Sequence, residues 1–353
     1  MTARYRAEDL AACAQALFAR AGLDAGHARA VADVLVEADM LGFATHGLQF
    51  VPAYVADIEA GRTRTSGAPE VLKDGGATLL LDGGGLSGQP VMLEALETGL
   101  ARLKTHASVT VAVRGTRNIS CLAVYARRGA LAGALTLVAA SAPRNAAVAP
   151  FGGREPLVST NPIAAGIPAD GGPVLFDTST AAVANRRIER ARREGASLPG
   201  RWLVDNEGRA TDDPEAVYTD PPGAILPMGG LDQGYKGFAL SLLVEALTSG
   251  LAGRGRSDPD PAAGNQVFLH LIDPGGFAGA EAFARETGWL AARARASAPM
   301  DPAHPVRVPG DRAQALFAEQ AARGIALHPE ILPRMRPLLD RYGVPEPAPL
   351  TQD

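Results

Sequence analysis

The period of the hydrophobic pattern changes once along this chain of 353 residues, and that change constrains the fold more than any other feature. Over the first sixty or so residues, apolar side chains recur at helical spacing. Leu10, Cys13, Leu17 and Phe18 form one stripe that ends at Gly22; Val31, Val34, Leu35 and Ala38 form a second that runs to Leu41. Gly42 is placed to stop the second helix by turning left-handed. Leu48, Val51, Val55 and Ile58 give a third apolar face, preceded by Thr45, whose hydroxyl suits an N-cap. From Glu70 onward, extended and helical runs alternate. Glu70–Lys73 and Thr78–Asp82 flank an Asp74-Gly75-Gly76 turn. A helix through Val91 and Leu103, a strand Val109–Val113, a helix Leu122–Leu131 and a strand Leu135–Ala140 follow, the last apolar on both faces. Strands near Ile163–Ile167, Pro173–Asp177 and Val267–Asp273 and helices near 181–194, 237–251, 281–294, 312–322 and 329–342 complete an α/β pattern. The helix Gly237–Leu251 is apolar enough to be expected in the core, and the proline-bearing tail after Gly343 is expected to be loose.

Composition then excludes whole classes of function. The chain is long enough for two to three folding units. Its net charge is −4, which does not suit a polyanion binder, since phosphate contacts need clustered cations. The one dense basic run, Arg186–Arg193, is interrupted by Glu189 and reads as a solvated helix face, so nucleic acid is not an expected partner. Cys13 and Cys121 match neither a disulfide framework nor a zinc pattern, and no metal is expected. Arg4, Arg6, Glu8 and Asp9 stand where a signal peptide needs apolar residues, and no apolar run approaches a membrane span. A cytoplasmic protein without membrane attachment is therefore expected. With 40 glycines and 27 prolines, tight turns and long loops are expected as well.

Few residues can move protons near neutral pH. Of six histidines, His46 has the most suggestive neighbours: a hydroxyl before it, a glycine after it, and the expected start of a helix, whose positive end lowers an imidazole pKa. Ala149-Pro150-Phe151-Gly152-Gly153-Arg154 and Ser159-Thr160-Asn161-Pro162 could cradle a phosphate or ribose. Met228 to Gly237 places four glycines and Lys236 before an apolar helix, an arrangement that can meet an anion. Neither a G-x-G-x-x-G turn nor a P-loop occurs, so dinucleotide binding would need another fold.

Taken in order, these stretches resemble the type-2 malate/L-lactate dehydrogenase family. The resemblance rests on Ala38-Asp39 with Gly42, Thr45-His46-Gly47, Val113-Arg114, Val148 to Arg154, Thr160-Asn161-Pro162, Phe176-Asp177-Thr178, Leu226-Pro227 with Gly229-Gly230, Tyr235 to Phe238, and Val308 to Asp311. It implies a non-Rossmann α/β fold in which a helical layer, built from residues 1–68 and 306–353, packs beside an α/β cofactor domain, 69–305. It also implies a homodimer, NADPH or NADH as cofactor, and hydride transfer to a small 2-oxo or 2-imino acid. By the resemblance His46 is the proton donor beside Thr45. The cofactor positions fall on Asn118, Ile119, Ser120, Cys121 and Leu122, on Thr160, on Asp177, Thr178 and Ser179, on Lys236, and on Pro309, Gly310 and Asp311.

Three departures bear on the substrate. Phe50 replaces the arginine that grips the substrate carboxylate in the family, which leaves Arg117 or Arg187 as candidate replacements. Asn118 replaces a histidine. Arg187 stands where imine-reducing members have an aspartate and many hydroxy-acid dehydrogenases a lysine; facing His46, it would hold the imidazole neutral. An iminium substrate needs less help from an acid than a ketone, so reduction of a cyclic ketimine is the expected activity. A 2-hydroxy acid dehydrogenase of the malate, lactate or ureidoglycolate kind and a catalytically weakened dinucleotide-binding homologue are the alternatives.

Overall fold

The computed structural model describes residues 3–258 and 264–350. Its centre is a seven-stranded sheet with the spatial order Glu70–Asp74, Thr78–Asp82, Ser108–Thr116, Asn265–Ile272, Leu135–Ser141, Ile163–Ile167, Val174–Thr178. One neighbouring pair, Thr78–Asp82 with Ser108–Thr116, is parallel, and the helix Gly88–Arg102 makes the crossover that parallel pairing requires. The remaining pairs are antiparallel. The strand Asn265–Ile272 arrives from far along the chain and inserts between two strands that share one direction. A doubly wound dinucleotide fold is mostly parallel, and this mixed sheet is not one.

Two large cores share one helix. Val91, Met92, Val111, Val113, Tyr125, Val138 and Leu269 pack the sheet against its helices. Leu17, Phe18, Leu35, Val51 and Val55 pack with Ile331, Leu332, Met335 and Leu339, so the two ends of the chain meet in a helical layer. A short antiparallel ribbon, Arg4–Tyr5 with Ile325–Ala326, ties the same ends together. In the helix Ala25–Met40, Val31 and Leu35 face the helical layer while Val34 and Ala38 face the sheet; i, i+4 pairs of this kind form adjacent ridges on one helix. A smaller core of Val148, Val183, Ile188, Leu203 and Ile225 lies around a three-stranded sheet.

Two expectations from the sequence are corrected. The apolar helix spans Gly230–Glu245 and does not bury its leucines: Leu242 and Leu243 are 50% and 49% exposed. Its glycines face inward instead, because a Cβ on Gly237 would stand 2.3 Å from the Met228 carbonyl oxygen. The tail after Gly343 is also packed against the protein as far as Leu350, the last described residue. Val344 is buried, and the Leu350 amide donates to the Arg4 carbonyl at 2.7 Å. Among the described residues, no helix is long and apolar enough to cross a membrane.

Candidate active site

Five strand ends converge at one edge of the sheet. Ser108–Thr116, Leu135–Ser141 and Val174–Thr178 finish there, while Ile163–Ile167 and Asn265–Ile272 start there, as the register of Asn265 with Thr116, Gln266 with Ser141 and Ile163 with Thr178 requires. A cavity of about 520 Å³ opens at this edge, within the range of small-molecule sites. Its walls bring together Thr45, His46, Phe50, Asn118, Ile119, Ser120, Leu122, Thr160, Asp177, Thr178 and Ser179. Ser141, Asn145, Ser159, Asn185, Asn265, Arg186 and Glu189 complete its polar lining; of these, the sequence marks Ser159 in a candidate cradle and Arg186 and Glu189 only as part of a basic run.

Backbone strain is concentrated beside this cavity. Among the described residues other than glycine, positive φ occurs at Ser120 (65°) and Asn161 (40°), a conformation that costs energy and persists where surrounding bonds enforce it. The Ser120 amide donates to Asn118 Oδ1 at 2.8 Å, and its hydroxyl donates to the His46 carbonyl oxygen. Asn161 Nδ2 donates to Ser241 Oγ and Glu245 Oε1, both at 3.0 Å. Tyr54 donates its hydroxyl to Asn118 Oδ1 at 2.6 Å. With that oxygen doubly engaged, the Asn118 amide hydrogens are what this side chain offers to a ligand.

His46 lies in a tight 3₁₀ turn, Ala44–His46, followed by a second, Leu48–Phe50, and the α-helix begins only at Val51. Thr45 is therefore not an N-cap; its Oγ1 lies 2.9 Å from His46 Nδ1. Beneath the turn, buried Asp39 accepts the Leu48 amide at 2.8 Å. Burial pushes the Asp39 carboxyl up to about 7 against the opposing Leu48 bond. Gln320 reaches in from the C-terminal layer, donating to the carbonyls of Asp39 and Met40 at 3.0 Å and accepting from the Ala326 amide.

Burial, and secondarily the positive charge of Arg186, pull the His46 imidazole down to about 4. No helix dipole is involved. The Arg186 guanidinium lies 5.1 Å from the centre of the Phe50 ring, and that ring stacks on Tyr54 at 5.2 Å and 9°. Arg186 also donates to Glu189 Oε2 at 2.8 Å. Arg187, the arginine expected among the catalytic groups, instead lies over the Trp202 ring at 5.0 Å. Inward-facing Ile188 and Ala191 set the phase of the helix Asn185–Arg193, and one residue of a helix is a turn of about 100°. Those two apolar positions were the signal in the sequence that could have chosen Arg186.

Arg117, Cys121, Lys236, Pro309, Gly310 and Asp311, also expected at the site, do not line this cavity. Arg117 is paired with Asp57 and lines a small separate cavity with Tyr54 and Gln89. Cys121 is fully buried, and Asp177 accepts the Ala123 amide at 2.9 Å at the start of the helix Leu122–Leu131. Burial raises the Asp177 carboxyl, partly offset by that bond. Lys236 is exposed beside Tyr235 and does not line the cavity. Pro309 and Gly310 border a second cavity of about 380 Å³, with Arg312, that shares Phe43 and Asp177 with the first. Asp311 does not line it; Arg295 donates to its carboxylate at 2.7 Å. Among the described residues, no cluster of three or more acidic, histidine or cysteine side chains is placed to hold a metal.

A family model described as malate/L-lactate dehydrogenase matches residues 5–336. The chain is 29% identical over 330 residues to a malate/(S)-sulfolactate dehydrogenase of Methanothermus fervidus, covering 92% of this chain and 93% of that protein. It is 32% identical over 325 residues to a Δ1-pyrroline-2-carboxylate/Δ1-piperideine-2-carboxylate reductase of Pseudomonas syringae pv. tomato, covering 87% and 89%. In fold it superposes on the crystal structure of malate dehydrogenase from Entamoeba histolytica with a TM-score of 0.91 at 24% identity, over 99% of this chain and all of that one.

Proposed function

Because the chain belongs to the malate/L-lactate dehydrogenase family, we propose that this oxidoreductase reduces a 2-imino or 2-oxo acid, a cyclic ketimine carboxylate above all, in the cavity around His46. The observation that carries this reading is the presence of one histidine and one guanidinium, that of Arg186, in a cavity whose other polar lining is neutral side chains and two carboxylates.

The cavities suit a nicotinamide dinucleotide. Thr160, Thr178, Ser179 and the Asn118 amide are neutral hydrogen-bonding groups fitted to ribose and carboxamide, and the second cavity continues from the first through Phe43 and Asp177. Arg312 borders that second cavity and has no ion-pair partner among the described residues. A free arginine beside the adenosine half suits a 2′-phosphate, which favours NADPH over NADH. When bound, the reduced nicotinamide supplies a hydride.

His46 stands at the acceptor atom. With an imidazole pKa near 4, about one molecule in a thousand carries imidazolium at pH 7. A ketone needs a proton as it becomes an alkoxide, whereas an iminium nitrogen already carries its own. Neutral His46 then acts as a hydrogen-bonding wall at the nitrogen, its Nδ1 fixed by Thr45. The same neutral imidazole could accept the hydroxyl proton of a 2-hydroxy acid, and this supports oxidation of such acids as the second reading. The exposed leucines of Gly230–Glu245 form an apolar face suited to a second copy of the chain, hence a homodimer.

Fluorescence titration with NADPH and NADH, then dinucleotide-oxidation assays on Δ1-pyrroline-2-carboxylate, Δ1-piperideine-2-carboxylate and a set of 2-oxo acids, tests the proposal. The expected result is tighter NADPH binding and the highest kcat/KM on a cyclic imine. A higher value on a 2-oxo acid selects the second reading, and binding without turnover removes both.

A further inference from the structure

We infer that Arg186 holds the substrate's carboxylate and that the site thereby selects monocarboxylates with an uncharged side chain. This rests on the reductase reading above. Arg186 is the one arginine or lysine among the described residues lining the main cavity. Its neighbours on the same helix are engaged elsewhere: Arg187 over Trp202, Arg190 with Glu194, Arg192 with Glu215, and Arg193 with Glu330. Arg117 points away to Asp57.

Its geometry suits a clamp. The Phe50 ring beneath it is itself stacked on Tyr54, and a guanidinium over an aromatic face keeps its in-plane N–H donors free. One of its terminal nitrogens is bonded to Glu189, which leaves the other donors of the fork for a carboxylate. Thus Phe50 takes the place of a cation at position 50 by seating one that comes from another helix. The charge count limits what else can bind. Beyond Arg186 the lining offers Glu189 and Asp177, so a second substrate carboxylate or sulfonate would meet like charge rather than a partner. A cavity of about 220 Å³ adjoins the main one across Asn185 and Glu189 and is walled by Ile188, Val217, Tyr218 and Ile225, which suits an apolar substrate side chain.

The test starts with dinucleotide binding by the wild type. Absence of binding to both NADPH and NADH overturns the reductase reading, and this inference with it, before Arg186 is touched. Next, oxamate, a non-reacting 2-oxo acid analogue, and uncharged oxamide are titrated calorimetrically into dinucleotide-loaded wild type, Arg186→Gln and Arg186→Lys. The expected result is an oxamate affinity about 30-fold weaker in Arg186→Gln, partly restored in Arg186→Lys, with weak oxamide binding unchanged throughout. In turnover, the wild type should prefer 2-oxo-4-methylpentanoate over oxaloacetate by about tenfold or more. Undiminished oxamate affinity in Arg186→Gln, or a wild-type preference for oxaloacetate, overturns the inference.

Discussion

The carboxylate of Asp39 lies flat against the Cα of Gly47: a Cβ built at position 47 would stand 2.3 Å from three of its atoms. The φ of Gly47 is −96°, so this glycine is required by space and not by an unusual backbone angle. The contact fixes the height of the turn that carries His46 through a buried acid that does not itself line the cavity.

Gly47→Ala should therefore displace the turn with little effect on the sheet. A shift of about 1 Å at the reacting group can cost about 100-fold in rate. Steady-state kinetics should show kcat reduced on that order, while fluorescence titration gives dinucleotide affinity close to wild type.

Asp39 should also leave a mark on stability. Its folded value near 7 is raised above an ordinary aspartate, so between about pH 4 and 7 the native state holds a proton that the unfolded chain has released. Stability from this group is complete below pH 4 and declines as pH rises through 7. Asp39→Asn should gain on the wild type between pH 5 and pH 8 by about 2–3 kcal/mol, because about two pH units of the span between the ordinary and the folded value fall in that interval. Urea unfolding at the two pH values measures the difference.

For His46 the lowered value predicts a kcat/KM profile whose acid limb falls near pH 4, below the ordinary imidazole range. Arg186→Gln should move that limb upward. Burial is the larger cause and persists in the variant, so the limb should stay below an unperturbed histidine. His46→Ala should lower kcat on a ketone substrate by about 100-fold or more and leave dinucleotide binding unchanged. A limb that stays in place when Arg186 is neutralised would separate the two residues electrostatically.

Phe50→Arg would place a second guanidinium under Arg186. The expected outcome is a shift in relative kcat/KM toward small dicarboxylates such as oxaloacetate, by about tenfold or more, read from the same substrate panel. Equal or poorer relative use of dicarboxylates would show that position 50 does not face the substrate.

Leu243→Asp places a charge on the exposed apolar face of the helix Gly230–Glu245. Size-exclusion chromatography with light scattering should give about twice 36.4 kDa for the wild type and a mass closer to 36.4 kDa for the variant.

Local structure was legible where the period was clean. Thr78–Asp82 and Ile163–Ile167 coincide with the strands expected for them, and Leu122–Leu131 with its helix. The sheet order was not legible, because Asn265–Ile272 enters from more than a hundred residues away and no local pattern records its neighbours. Hydrophobicity placed Gly237–Leu251 in the core, yet apolar character does not say which face of a helix turns inward; the glycines decided that. At the cavity, the segments around His46, Asn118, Thr160 and Asp177 do converge. Arg187 was exchanged for Arg186 because a basic run gives charge without phase. Lys236 and Asp311 carry suitable chemistry in sequence, but an exposed helix position and an ion pair with Arg295 keep them out of the cavity.

The reach of Gln320 into the backbone under His46 has a consequence for the order of assembly on the ribosome. A nascent chain ending before residue 320 already contains every side chain that lines the cavity, yet it lacks the bonds that Gln320 makes to the carbonyls of Asp39 and Met40. The helix that carries the buried Asp39 thus gains these ties only once the C-terminal layer has been made.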